Sequence, residues 1–207
     1  MRSAVTVMAL ATAAVLATGP ATAAPAGATT RTWTVRPGGG VIAKAGATTL
    51  KDTTTGSVVN CQSSDMSGTV KPGSGLPGAG IGSVTAASYR CFGPTGAPRL
   101  MPSGLPWQLN LTSYDAGTGV SRGTISHVRL AFSIFNCSAV VGGAGATSGG
   151  EVTVTYANKT GKLKLLANGG TLHWYRVHKC AGLLASGDPA SLTGSYVLTP
   201  KQVITSP

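Results

Sequence analysis

Beyond its first 23 residues, this chain nowhere sustains the 3.6-residue apolar repeat of a helix. Instead, short runs rich in Val, Ile and Thr recur between clusters of Gly and Pro. That texture restricts the fold to many short strands joined by tight turns. The second half shows the two-residue period most cleanly. Trp107, Leu109 and Leu111 alternate with Gln108, Asn110 and Thr112, and Val152, Val154 and Tyr156 alternate with Thr153 and Thr155. Strand-like stretches are predicted at residues 32–36, 41–45, 48–51, 57–62, 67–71 and 81–91 in the first half. Residues 120–135 read as one long bent strand or two, with Gly123 a candidate bulge. Asn168-Gly169-Gly170 reads as a hairpin turn between strands at 163–167 and 171–179. Residues 72–80 and 92–104, dense in Gly and Pro, read as loops, and Asp188-Pro189 as the start of one helical turn. The expectation is an all-β domain of about ten to thirteen short strands, mostly antiparallel, in a sandwich or a barrel.

Charged residues make up only 10% of the chain, against a usual ~25%. Disordered chains combine low hydrophobicity with high charge. Here charge is scarce and β-branched residues are plentiful, so a packed domain is the expected outcome.

The amino terminus sets the compartment. Arg2 precedes an almost unbroken apolar run from Ala4 to Ala17, Gly19-Pro20 breaks it, and Ala21-Thr22-Ala23 supplies small residues. This is the layout of a secretory signal peptide over residues 1–23. Cleavage is placed between Ala23 and Ala24, because a cut after Ala24 would leave Pro25 next to the scissile bond. Residues 24–30 then form a flexible mature terminus and residues 31–207 a single β domain. No later segment approaches the ~20 apolar residues of a membrane-spanning helix. Ser-Gly-Leu-Pro recurs at 74–77 and 103–106, and Asn-Cys at 60–61 and 136–137. These echoes suggest two related β units meeting near residues 92–104.

Cys61, Cys91, Cys137 and Cys180 in an exported chain imply two disulfides, for which three pairings exist. The expected pairing is sequential, Cys61–Cys91 and Cys137–Cys180, each tying neighbouring strands. Zinc is disfavoured because no close Cys-x-x-Cys pair occurs.

Several segments together resemble a group of small exported proteins of actinomycetes. They are Gly80-Ile81-Gly82-Ser83-Val84, Cys91-Phe92-Gly93-Pro94, Leu105-Pro106-Trp107-Gln108-Leu109-Asn110 and Cys180-Ala181-Gly182-Leu183, with Gly187-Asp188-Pro189 and the tail from Gln202 to Pro207. The resemblance implies an exported β-rich protein with no known activity. It carries over no catalytic or ligand residue.

Charge and chemistry narrow the function classes. The formal net charge is +11, one less without Arg2, which implies attraction to anionic cell-envelope or extracellular polymer. Lys159, Lys162 and Lys164 form the tightest basic cluster, without any nucleic-acid motif. Only five carboxylates are present, and Asp52, Asp115 and Asp188 sit in turn contexts, leaving little for paired-acid hydrolysis. His127, His173 and His178 accompany no Gly-x-Ser-x-Gly elbow and no metal spacing. Trp107 and Trp174 read as core, and Tyr175 as the exposed ring of its strand. The expectation is therefore a secreted, non-catalytic binding module without metal or cofactor, with Lys159, Lys162, Lys164 and Tyr175 as candidate contacts. The alternatives are a secreted inhibitor displaying residues 72–80 or 92–104, a carbohydrate-binding protein, or, third, a hydrolase.

Overall fold

Alternating side chains on β-branched runs build strands whose two faces differ, and such strands are stable only when their apolar faces meet. The computed structural model, which describes residues 31–93 and 96–207, shows this solution. The proposed signal peptide, the Ala23/Ala24 cleavage site and residues 24–30 lie outside the described residues.

Among the described residues fourteen strands follow one another. The first seven are β1 (Thr32–Arg36), β2 (Gly39–Asp52), β3 (Val58–Val70), β4 (Gly73–Pro77), β5 (Gly82–Cys91), β6 (Arg99–Ser103) and β7 (Trp107–Asp115). The second seven are β8 (Val120–Ile134), β9 (Cys137–Gly142), β10 (Gly150–Ala157), β11 (Lys162–Leu165), β12 (His173–His178), β13 (Ala190–Thr199) and β14 (Val203–Thr205). The ladders between them are antiparallel.

The all-β reading holds, and the open choice resolves to a barrel. Strands β10, β11, β13, β2, β3, β5, β7 and β8 pair in that order, and β8 pairs back to β10 to close the ring. The far half of β8 runs past the ring and pairs with β6 and β9, and β9 with β12. A separate sheet in the order β14-β1-β4 completes the molecule.

Some local expectations are corrected. Residues 48–51 and 41–45 belong to the single strand β2, and 57–62 and 67–71 to β3. Two segments expected as loops contain strands: β4 is paired with β1 and β6 with β8. Gly and Pro here sit at short edge strands, where a missing donor or side chain costs least. Asp188-Pro189 starts no helical turn; Pro189 bridges His173 instead. Nor does Asn168-Gly169-Gly170 join a hairpin, because β11 pairs with β10 and β13 while β12 pairs with β9.

Gly123 is not itself a bulge. The extra residue is on the facing strand, where the β7–β8 register slips between Leu111 and Ser113, and a β-carbon on Gly123 would lie 1.9 Å from the Asn110 carbonyl oxygen. Only a residue without a side chain lets β7 approach so closely.

The barrel interior is filled by side chains: Leu50, Met66, Leu109, Ile125, Val154, Leu163, Leu192 and Leu198 are buried. A short polar chain crosses it, Thr48 Oγ1 lying 2.5 Å from Ser64 Oγ and Ser64 donating to the Tyr196 hydroxyl at 2.8 Å. One end is closed by the three-stranded sheet. There the Tyr156 hydroxyl donates to Gln202 O at 2.7 Å and accepts from Gln202 N at 2.9 Å, and Asn158 bonds both backbone groups of Ile204. Outside, the barrel carries Lys44, Arg122, Lys162 and Lys164 among threonines, with Ile42 and Val197 also exposed. Charges at those positions differ from the apolar outer band of a membrane barrel. Among the described residues no helix is long and apolar enough to cross a membrane.

Candidate functional site

The starts of β3 and β13 and the ends of β2 and β5 lie at the barrel end opposite the three-stranded sheet. Two disulfides fix what is built on that end. Cys61 and Cys91 face each other across the β3–β5 ladder and are bonded, and Phe92 N donates to Asn60 O at 3.3 Å beside them. Cys137, the first residue of β9, is bonded to Cys180 just after β12. The sequential pairing expected from the sequence is therefore the one formed.

The segment after Cys180 is anchored to the barrel rim. Asp52 Oδ1 accepts from Thr54 N and Thr55 N at 2.9 Å each, shaping the β2–β3 turn. That turn then grips the segment, with Thr55 Oγ1 donating to Leu183 O at 2.7 Å and Thr53 N to Pro189 O at 3.0 Å.

Between the rim, the β8–β9 hairpin and this anchored segment lies an open groove of about 570 Å³. That falls within the ~300–1,000 Å³ typical of ligand pockets. Its floor and walls include Val59, Pro98, Phe132, Ile134 and Leu184, with Cys137 and Cys180 in the lining. Four large apolar side chains on its margin face solvent: Phe135 at 81% exposure, Leu183 at 62%, and Val58 and Phe92 at 49% each. A folded chain rarely gathers so many exposed apolar groups without a partner.

Backbone conformation singles out the same margin. Among the described residues five non-glycine residues have positive φ, and three of them, Phe135 (48°), Lys179 (52°) and Ala181 (51°), line the groove. Phe135 is the notable case. It occupies, with Asn136, the two-residue turn between β8 and β9, where Asn or Gly is the usual choice. Its ring lies over Gly96, where any β-carbon would come within 2.7 Å of it. Such conformations cost about 1–3 kcal/mol and persist where the surroundings hold them, often at functional sites.

The chemistry available is that of burial. Lys179 is the one charged side chain among the described lining residues, and they include neither carboxylate nor histidine. The arrangement can withdraw an apolar chain from water, but it offers no general acid–base pair.

The candidate contacts read from the sequence lie elsewhere and apart. Lys162 and Lys164 point outward from β11 and Lys159 sits in the β10–β11 turn, at the end closed by the three-stranded sheet. Tyr175 is on β12, half-buried, its hydroxyl donating to Gly143 O at 2.8 Å and its ring tilted against His173. Because β12 pairs with β9 and not with β11, Tyr175 and the lysines are not brought together. Trp33, Trp107 and Trp174 are fully buried, so none forms a stacking platform for sugars. The sequence alone does not mark Phe92, Phe135 or Leu183 as site residues. A phenylalanine in a hairpin turn is the available signal, and it becomes legible only with the β8–β9 turn located between residues 134 and 137.

No curated protein and no solved structure matches this chain. The family described as alkane oxidation protein activator PraA/PraB-like matches residues 1–205, and the chain belongs to that family.

Proposed function

We propose that this chain is an exported, non-catalytic binding protein that seats a linear hydrocarbon chain in the groove at the disulfide-bonded end of the barrel. The observation that carries this reading is Phe135, held exposed and at positive φ on the margin of an apolar groove. The family description, which refers to alkane oxidation, supports a hydrocarbon as the occupant over other apolar ligands. Both disulfides and the signal-like first 23 residues support a role outside the reducing cytoplasm.

The energetics suit a saturated chain. Each methylene withdrawn from water contributes about 0.8 kcal/mol, so affinity rises roughly fourfold per added carbon until the groove is full. The test is a series of neutral 1-alkanols of increasing length, competed against an environment-sensitive apolar dye. The reading expects a steep climb in affinity that levels off, and a marked loss in Phe135→Ser and Leu183→Ser variants. Affinity independent of chain length, or indifferent to both substitutions, contradicts it. Sequencing the amino terminus of the product recovered outside the cell tests export. Ala24 as first residue is expected, and a cytosolic chain retaining Met1 with free thiols opposes it.

A further inference from the structure

The positive charge is not spread evenly over the barrel. Lys162 and Lys164 lie two residues apart on the outer face of β11, which places them about 7 Å from each other along the strand. The antiparallel registers extend this pattern sideways in two rows. In one, Lys164 stands opposite Thr155 and Thr155 opposite Arg122. In the other, Lys162 stands opposite Val197 and Val197 opposite Lys44. Each row therefore carries two cations two strands apart, about 10 Å at the usual strand spacing. Lys201 adds to the cluster, its stem occupying the space above Gly161, where a β-carbon would lie 2.9 Å from its Cγ. Lys159 projects from the adjoining turn.

Acidic groups stand away from the cations' centre. Asp65 faces Lys44 at one edge, Asp115 lies beyond Val120 at the other, and Glu151 is on the outer face of β10 but four residues from Thr155, toward the groove end. The Asp115 carboxylate is committed to its own turn, Oδ1 accepting from Gly117 N at 2.9 Å and Oδ2 from Thr118 Oγ1 at 2.7 Å. Those bonds, that of Thr118 first, hold its pKa below the ordinary carboxylate value. Between the margins Lys164 has hydroxyl neighbours, Thr155 and Ser195, while the exposed Val197 stands between Lys162 and Lys44. Tyr156 and Tyr196, on the same strands, point inward and are buried. The face thus has charge and hydrogen-bonding groups but no exposed ring on which a base could stack.

From this geometry we infer that the outer face of β8, β10, β11, β13 and β2 docks a linear phosphate polymer without bases, at the end of the barrel remote from the groove. Charge complementarity supplies the attraction, so binding is salt-sensitive and independent of the apolar groove.

The experiment uses end-labelled long-chain inorganic polyphosphate and the full exported protein, with anisotropy followed over a salt series. Affinity is expected to fall steeply with salt. The triple variant Lys162→Gln/Lys164→Gln/Lys201→Gln is expected to bind at least tenfold more weakly, with a shallower salt slope. Arg90→Gln/Arg99→Gln/Arg176→Gln removes the same charge from exposed positions elsewhere and is expected to lose less than threefold. Lys44→Gln/Arg122→Gln gives a second reading of the same face from other strands and is expected to weaken binding severalfold. Equal losses in both triple variants overturn the inference, since net charge alone would then account for binding. Tenfold tighter binding of charge-matched oligothymidine, or preference for anionic vesicles over polyphosphate, overturns it as well.

Discussion

Phe135 carries two opposed demands. Its backbone sits where an L residue with a large side chain is disfavoured, and its ring is the most exposed large apolar group described. Asn tolerates that conformation far better. Phe135→Asn is therefore expected to raise stability by about 0.5–1 kcal/mol while weakening hydrocarbon binding, with denaturant melts and dye displacement run on the same sample. A variant that loses both stability and binding would show that the ring serves packing alone. Tyr156 illustrates the contrary case, a side chain serving closure. Its hydroxyl is bonded to both backbone groups of the fully buried Gln202. Tyr156→Phe leaves that donor and that acceptor without partners, and a loss of about 2–4 kcal/mol is expected in equilibrium unfolding.

Among the elements, what the sequence reveals depends on the distance over which the information is encoded. Alternation is local, so β1, β5 and β7 appear in the sequence close to their observed bounds. Trp107, Leu109 and Leu111 point inward as their spacing requires. Register and closure are long-range. Nothing local says that β13 pairs with β2, or that the segment after β11 crosses over to reach β9. That is why the turn at 168–170 misleads, and why barrel and sandwich stay open in the sequence. The groove is legible least of all, since its margins come from segments between residues 57 and 184 that meet only in the fold. The disulfides fall in between, readable as a pair of bonds because four cysteines behind a signal-like leader imply them. They close spans of 30 and 43 residues, for which chain entropy gives roughly 3.5–4 kcal/mol each. Two double variants separate stability from site. Cys61→Ser/Cys91→Ser and Cys137→Ser/Cys180→Ser are expected to lose similar stability. Hydrocarbon affinity is expected to drop more in the second, which frees the turn and the segment bearing Phe135 and Leu183. Equal affinity loss would argue that both bonds act on the fold alone.

For the whole molecule, the two ends of the barrel differ in chemistry. One end exposes apolar side chains above a disulfide-bonded groove; the other bears the cationic face and is closed by the β14-β1-β4 sheet. The interior between them responds to alkali. Burial pushes the Tyr89 phenol well above its ordinary value, with the nearby Tyr196 hydroxyl adding to the effect, and burial likewise raises Tyr196 and Tyr156. Phenols of the unfolded chain ionise near pH ~10. Below that pH both states are neutral and the full stability is present. Above it the unfolded chain sheds protons that the barrel retains, so stability falls as pH rises toward the folded values. Melting temperatures between pH 9 and pH 11.5 are expected to show that decline, less steeply in Tyr89→Phe; identical slopes would count against ionisation of this residue as a cause.

The disulfide-bonded end is proposed to receive a hydrocarbon chain, and backbone amide resonances followed while 1-decanol is titrated in report on that binding residue by residue. Shifts concentrated at residues 57–60, 132–137 and 179–184 are expected; an unchanged spectrum, or shifts centred on the three-stranded sheet, would rule out binding in the groove.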